Sequence, residues 1–204
     1  MDLHRVTEEI LRNIFIEMES SGRHVHVTKE QARTLFGHEL TSDRPLSQPG
    51  QWVAKERVTV IGPKGEFRNV AVLGPERKEG QVEISLTDGR HLGIPPPVRP
   101  SGRVENSPGA VLRGPAGEVR LPCGVIAAQR HIHITPDDAA RFGVRDKQVV
   151  RLQTYTARPL IFEDVLVRVS PDFATRAHLD IDEANACGYK TGDLGRILSC
   201  PGRC

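Results

Sequence analysis

Membrane-spanning, secreted and nucleic-acid-binding proteins each have sequence marks that this chain lacks. No apolar run approaches the length needed to span a membrane. The four cysteines have no zinc-knuckle spacing and follow no secretory signal, so we expect a reduced cytoplasmic setting without disulfides. The 28 basic and 26 acidic residues leave a formal net charge of +2, which gives no strong field for nucleic acid or a membrane surface. Clustered arginines remain available for a phosphorylated ligand.

The composition favours a mainly β fold with a real hydrophobic core. The chain has 204 residues, of which 38% are hydrophobic, which is enough for one large or two small domains. Its 19 glycines and 15 prolines are scattered as turn-forming pairs between short apolar segments. This pattern predicts many short strands joined by tight turns.

Two copies of an Arg-His-x-His segment are the most informative feature of the sequence. They begin at Arg23 and Arg130, and each has apolar β-branched residues between and after its histidines. Side chains two apart on a strand lie on one face, roughly 7 Å apart at the backbone, so each segment presents two imidazoles side by side. Such histidines are also found as ordinary polar positions on half-buried strands. Because four of the eight histidines fall into the two copies, a metal-binding role is favoured.

The segment after each histidine pair is also repeated. Thr28 is placed to cap a helix that ends at Gly37, and Thr135 is placed to cap a helix that starts with Pro136 and ends at Gly143. The copies lie 107 residues apart, which indicates an internal duplication. We therefore predict a first half over residues 23–119 and a second half over residues 120–198.

A third metal ligand in each half follows from aligning the halves. After Pro75 and Pro171 each half has one more strand-like segment, and with one gap Glu83 aligns with His178. Both residue types bind zinc, and three protein ligands with an open fourth position are typical of catalytic zinc. The predicted ligand sets are His24, His26 and Glu83, and His131, His133 and His178.

A cupin-like metal enzyme is an alternative interpretation of the first copy. The spacing of His24, His26 and Glu30, with Gly37 behind them, resembles part of the cupin metal motif. A cupin needs that carboxylate on the strand sequence beside the histidines, whereas Glu30 falls in the first turn of the predicted capped helix. The glycine expected well before the first histidine is also missing.

The two ends of the chain are predicted to lie apart from these halves. Residues 2–12 have the apolar spacing of a short amphipathic helix, and residues 14–19 are typical of a strand leading to the first histidine pair. Residues 1–22 therefore form an N-terminal segment of helix and lead-in strand, and residues 199–204 form a tail that includes Cys200 and Cys204. We expect Cys123 and Cys187 to be small buried residues.

From Arg23 to Leu198 the sequence resembles the PduL-type phosphotransacylases, which are phosphate propanoyltransferases. The resemblance is carried by long motifs in the right order, namely both Arg-His-x-His segments with their helices and residues 45–51, 72–77, 81–85, 164–169 and 182–186. It implies a duplicated, mainly β chain that forms two swapped six-stranded β-barrel domains with short capped helices. It also implies a two-zinc active site that uses the six residues named above as ligands.

The implied reaction interconverts short-chain acyl-CoA, such as propanoyl-CoA or acetyl-CoA, plus phosphate with acyl phosphate plus CoA. The family's phosphate-binding arginine falls on Arg77, which would otherwise look like a solvated cation. Zinc suits a departing thiolate and a guanidinium suits phosphate, so we hypothesise direct attack of phosphate on the acyl carbon with no cysteine nucleophile.

The resemblance also bears on partners and location. It implies a bacterial protein, expected to be a homo-oligomer in the cytoplasm or in the lumen of a bacterial microcompartment. There the N-terminal helix would contact shell or lumen proteins, although the absence of a linker equally allows this helix to pack on the barrel. A metal-dependent thioesterase and a non-catalytic CoA-binding module are the remaining alternatives.

Overall fold

The computed structural model of the chain describes Asp2, Thr7, Leu11 and residues 13–198. These residues form two compact units. The first unit comprises Gly22–Gln129, and the second comprises the described residues up to Ser21 together with those from Arg130 onward. The fifteen strands and four helices of the described part confirm the expectation of a mainly β protein.

The second unit contains a closed six-stranded barrel. Its strands, in chain order, are β1 (Ile16–Ser21), β11 (His131–Ile134), β12 (Val149–Tyr155), β13 (Ile161–Val169), β14 (Arg176–Asp180) and β15 (Leu194–Leu198). They pair in the order β1, β14, β11, β13, β12, β15, and β1 pairs with β15 to close the ring. Ile132, Ile134, Leu152, Val165 and Val167 are fully buried in its core. The barrel is therefore filled by the alternate β-branched and leucine side chains of its strands.

The first unit contains a nine-stranded sheet. Its strands are β2 (His24–His26), β3 (Ser42–Pro45), β4 (Trp52–Ile61), β5 (Glu66–Gly74), β6 (Gln81–Glu83), β7 (Val98–Arg99), β8 (Ala110–Arg113), β9 (Glu118–Leu121) and β10 (Val125–Ala128). The main path runs β7, β10, β6, β2, β5, β4, β8, β9, and β3 pairs with β4. Its core includes Val25, Val27, Leu35, Val72 and Leu112, all fully buried.

The two units share the strand pairings that surround the histidine segments. Strand β2 is parallel to β5 and antiparallel to β6, as β11 is parallel to β13 and antiparallel to β14. Strands β10 and β1 then lie parallel to β6 and β14, respectively. These pairings are consistent with barrel-like halves, while the swapped arrangement implied by the resemblance stays a prediction.

Capped helices follow both histidine segments, as the sequence predicts. Helix α1 (Lys29–Phe36) starts at a capping box made by Thr28 and Gln31, and Gly37 ends it in the left-handed conformation with φ of 80°. Its buried residues are Ala32, Leu35 and Phe36. Helix α3 (Pro136–Phe142) has Thr135 as its cap, Pro136 in its first turn and Gly143 at its end.

Two further helices differ from what the sequence pattern indicates. Residues 81–85 have the alternation of one strand, but β6 ends at Glu83 and Ser85 caps α2 (Leu86–Leu92). Helix α4 (Ile181–Cys187) likewise follows β14, with Asp180 as its cap. In both cases a side chain at the strand end accepts a hydrogen bond from the helical backbone, which turns the chain out of the sheet.

The predictions for the chain ends fall mostly outside the described residues. The amphipathic helix over residues 2–12 is described only at isolated positions, and the C-terminal tail with Cys200 and Cys204 is not described. Cys187 is buried as expected, whereas Cys123 is only half-buried, and both are free thiols. Among the described helices, none combines the length and apolar character required for a membrane span.

Candidate metal centres

In the first unit, antiparallel pairing brings the three predicted ligands together. His24 is directly opposite Glu83 across the β2–β6 pair, and His26 is directly opposite Gln81. Because side chains two apart on a strand share a face, His24, His26 and Glu83 all lie on the same side of the sheet. All three residues are buried. The strand register, and not the local sequence, therefore places the carboxylate beside the two imidazoles.

The donor atoms of this group are spaced as ligands of one ion. They lie within 4.8 Å of one another, with His24 Nε2 3.5 Å from Glu83 Oε2 and His26 Nε2 3.8 Å from Glu83 Oε1. A tetrahedral zinc with bonds of about 2.0 to 2.1 Å would hold its ligand atoms roughly 3.3 Å apart. His24 Nδ1 donates to the Gly22 carbonyl at 2.9 Å, which directs Nε2 to the shared centre. The residues present fit a zinc ion.

Burial and the neighbouring charges set the protonation of this group. Burial works against the charged form of His24, but the Glu83 carboxylate and the Gly22 carbonyl outweigh it and raise the pKa of His24. Burial, His24 and Arg77 together hold the pKa of His26 well below its usual value. Burial would raise the pKa of Glu83, yet the two histidines and Ser101 keep it below its ordinary range. Glu83 is thus an ionised carboxylate, and His26 is a neutral imidazole, as metal ligation requires.

Hydrogen bonds from two neighbouring side chains hold the Glu83 carboxylate in place. Its Oε1 accepts from Gln81 Nε2 at 2.5 Å and from Ser101 Oγ at 2.6 Å. The Gln81 side chain is itself held, since its Oε1 accepts from the Gly102 backbone at 2.8 Å. Sequence reasoning missed Gln81 and Ser101. Gln81 had a usable signal, because it is two residues before a predicted ligand, whereas Ser101 comes from a distant loop.

Arg77 lies beside the same network. It belongs to the loop between β5 and β6, and its Nη1 donates to Ser101 Oγ at 3.2 Å. Its backbone N–H donates to the Val27 carbonyl at 2.9 Å, which fastens the loop to the residue after β2. The sequence predicts a solvated cation in a charged loop, but the side chain is half-buried and close enough to lower the pKa of both histidines.

The second unit repeats the arrangement with three histidines. His131 is directly opposite His178 across the β11–β14 pair, and the donor atoms of His131, His133 and His178 also lie within 4.8 Å of one another. His131 stacks on His178, with ring centroids 4.9 Å apart and an interplanar angle of 15°. His133 is buried, while His131 and His178 are half-buried. Three imidazole nitrogens at this spacing also fit zinc.

Two neighbours of this second group have no counterpart in the sequence prediction. Glu19 of β1 is directly opposite His178, and its Oε2 lies 3.6 Å from His178 Nδ1. The Phe173 ring lies against His133, with centroids 4.1 Å apart. A carboxylate beside a histidine orients the imidazole and raises its basicity, so Glu19 is placed to support His178.

The structure thus brings all six predicted ligands into two groups, one in each unit. Glu30, the carboxylate of the cupin interpretation, lies in the first turn of α1 and is exposed. It belongs to neither group of donor atoms that the described residues form. The cupin motif is therefore not completed in three dimensions at this carboxylate.

Comparisons with known proteins agree with the motifs. The family model for phosphate propanoyltransferase matches residues 17–190. The chain belongs to the phosphate propanoyltransferase family. The phosphate propanoyltransferase of Enterococcus faecalis is 50% identical over 204 residues, covering 96% of this chain and 97% of that protein.

Other family members are similarly close over most of their length. The phosphate propanoyltransferase of Listeria monocytogenes is 51% identical over 96% of this chain and 93% of its own. That of Thermotoga maritima is 55% identical over 87% of this chain and 86% of its own. Membership of this family confirms the resemblance seen in the sequence and supports assignment to the transferases, in the phosphate acyltransferase class.

Proposed function

We propose that the protein interconverts propanoyl-CoA or acetyl-CoA plus phosphate with the acyl phosphate plus CoA, using two zinc ions per chain. The observation that carries the proposal is the presence of two zinc-compatible ligand groups in a member of the phosphate propanoyltransferase family. His24, His26 and Glu83 would hold one ion, and His131, His133 and His178 the other. Bound zinc would supply Lewis acidity toward oxygen and an affinity for thiolate sulfur.

The chain's own contribution to phosphate binding centres on Arg77. Its guanidinium keeps its charge at all relevant pH values and presents a planar fork that matches phosphate oxygens. The hydrogen bond to Ser101 and the half-buried position restrict the side chain, which reduces the ordering needed when phosphate binds. Arg77 would therefore orient phosphate and stabilise the negative charge that develops during the reaction.

The proposed chemistry is a direct displacement. A phosphate oxygen attacks the thioester carbon, the C–S bond breaks, and its electron pair leaves on the CoA sulfur. The hydrogen phosphate proton is lost and is available to the departing thiolate, so the atoms and charges balance without an oxidant or a covalent enzyme intermediate. Burial of Cys187 raises the pKa of its thiol, which makes that residue a poor nucleophile.

Phosphate dependence tests this function against its alternatives. The purified protein should release thiol from propanoyl-CoA or acetyl-CoA only when phosphate is present, and hydroxylamine should trap an acyl phosphate. A thioesterase would release CoA without phosphate and form free acid, and a CoA-binding module would do neither. Thiol release without a trappable acyl phosphate would overturn the assignment.

The propositions about assembly and location rest on the resemblance. We propose that the chain forms a homo-oligomer in the bacterial cytoplasm or in a microcompartment lumen, with residues 1–22 as the targeting segment. A fluorescent protein fused to residues 1–22 should then collect with microcompartment shells, whereas diffuse fluorescence would reject targeting by this segment.

A further inference from the structure

Each candidate metal group has an arginine immediately before its first histidine, and each arginine pairs with an acidic side chain of its own unit. Arg23 Nε and Nη2 donate to Asp88 Oδ2 and Oδ1 at 3.1 and 2.7 Å. In the second unit Arg130 Nη1 donates to Glu183 Oε1 at 2.7 Å, and its Nε donates to the Glu163 carbonyl at 2.6 Å. In each unit the acidic partner stands five residues after the third predicted ligand.

The acidic partners also cap the helices that follow the third ligand. Asp88 is the third residue of α2, and its carboxylate accepts from the Ser85 backbone N–H. Glu183 is the third residue of α4 and accepts from the Asp180 backbone N–H at 3.0 Å. In each unit one carboxylate therefore joins the arginine to the start of the helix that follows the ligand strand.

An aromatic ring completes each contact set. The Arg23 guanidinium carbon lies 4.1 Å from the centroid of Phe67, and that of Arg130 lies 5.7 Å from Phe162. Each ring stands sixteen residues before the third predicted ligand of its unit. The ring supports the guanidinium by a cation–π contact and restricts its orientation. We call this set of arginine, capping carboxylate and ring the arginine clamp.

In each unit the clamp lies just beyond the end of the strand pair that carries the first and third ligands. The β2–β6 pair is only three residues long, and the His24 and Glu83 pair is at its end. The β11–β14 pair also ends at its ligand pair, His131 and His178. Among the described residues the two strands of each ladder have no further pairing with each other beyond these end pairs, so the contact just beyond that end helps to control how closely the two strands stay together.

We propose that Arg23 and Arg130 are positioning residues, each of which holds the first and third ligands of its own metal group at ligating distance. This inference rests on the proposed zinc sites. The bidentate pairing of Arg23 to a largely buried carboxylate fixes both distance and orientation, which a single point charge does not. Arg130 is held at two points as well, by Glu183 and by the Glu163 carbonyl. Outer contacts that orient metal ligands typically change metal affinity by about 10- to 100-fold when removed.

The test measures metal release from the full, metal-loaded chain. Arg23→Gln and Arg130→Gln are each mixed with a coloured zinc chelator, and release is followed with time. Each variant should release one of its two zinc ions about 10-fold faster or more than the unaltered chain, while the other ion is released at the original rate. Arg113→Gln is the matched control, because Arg113 forms an exposed ion pair with Glu118 that lies outside both clamps. It should release both ions at the unaltered rate.

The two ions are told apart in a background with one group removed. In the His133→Ala chain only the first group should retain zinc, so adding Arg23→Gln should accelerate release and adding Arg130→Gln should not. Arg23→Lys and Arg130→Lys keep the charge without the fork and should release zinc at intermediate rates. If either glutamine variant fails to fold, the lysine variants decide the question by the same measurement.

The possible failures are distinct. An unaltered chain that binds no zinc would reject the proposed zinc sites themselves. An unaltered chain with two zinc ions whose arginine variants release both at the original rates would leave the proposed function standing and overturn the clamp. Equal acceleration at both groups by one variant would also overturn it, since that result indicates general loosening of the fold.

Discussion

In the first unit the third predicted ligand is the carboxylate of Glu83, and in the second it is the imidazole of His178. The carboxylate nearest the second group lies on the neighbouring strand β1, and not on the strand that carries the third ligand. Glu19 occupies the position opposite His178, whereas the first unit has Ile126 opposite Glu83. Each centre thus has one carboxylate nearby, as a donor in one case and as a neighbour of a donor in the other.

This difference gives the two centres different charge and access. With neutral imidazoles, a zinc ion in the first group would keep a net charge of about +1 and one in the second about +2. The first group is buried throughout, while two histidines of the second are half-buried. The loops before the third ligands also differ. The loop of the first unit contributes Arg77, and the loop of the second unit contributes Phe173. One backbone arrangement therefore supports two candidate metal groups that differ chemically.

Removing one histidine from each centre should have the largest effect. His26→Ala and His133→Ala should each lower the zinc content from about two to about one per chain. Each should also reduce kcat by about a thousandfold or more, because a catalytic metal supplies several kcal/mol and about 1.4 kcal/mol is tenfold in rate. Elemental analysis with steady-state kinetics checks both values.

The same two variants can also show that the groups are not two independent catalytic metal sites. About one zinc per unaltered chain, or full activity in either variant, would mean that the two groups are not both catalytic metal sites. Loss of both ions from a single variant would mean that the groups are not independent.

Replacing Arg77 should lower the rate without loss of metal, in an effect that is confined to phosphate. Losing its charge-assisted fork should cost roughly 3 to 5 kcal/mol in transition-state stabilisation, or about two to four decades in rate. Arg77→Ala should keep both zinc ions and bind CoA, and Arg77→Lys should recover part of the activity. Kinetics at varied phosphate concentration measures this.

Two controls sharpen the contrast between the loops. Lys78→Ala removes an exposed neighbouring cation and should leave the phosphate KM unchanged. Phe173→Leu alters the corresponding loop of the second unit and should also leave the phosphate KM unchanged. Loss of zinc or of thermal stability in Arg77→Ala, with unchanged phosphate saturation in the active fraction, would make Arg77 a structural residue instead.

The smallest expected effect is on the pH dependence of stability of the metal-free protein. The pKa of His26 is lowered by folding, so its contribution is present above the ordinary pKa of about 6.5 and is lost as pH falls below it. The pKa of His24 is raised, so its contribution is present below about 6.5 and is lost as pH rises above it. Each can change the slope by at most about 1.4 kcal/mol per pH unit.

Denaturant unfolding after chelation, at several pH values, measures these slopes. His26→Gln should reduce the loss of stability on acidification, and His24→Gln should reduce the loss on raising the pH above about 6.5. The same sign of change in both variants would show that folding does not shift the pKa values of His24 and His26 in opposite directions.

Local signals in the sequence were sufficient for the helices that follow the two histidine segments. Thr28, Thr135 and the glycines that follow them predicted helix starts and ends, because capping involves only groups within a few residues. The capping boxes at Ser85 and Asp180 had the same signal, but the residues before them alternate as in a strand, and the sequence pattern therefore indicated only strands there. Duplication, not local pattern, pointed to Glu83 and His178.

The amino-acid sequence by itself determined the two histidine strands with their capped helices, the six candidate ligands and the family, since each depends on residue type at fixed spacing. Only the tertiary structure decided which side chains surround the ligands. Ser101 reaches Glu83 from a loop eighteen residues away, and Arg23 meets Asp88 across sixty-five residues. These contacts depend on strand register and on how loops pack beyond the strand ends, and no sequence spacing encodes either one, because chain packing alone brings such distant groups within hydrogen-bonding distance.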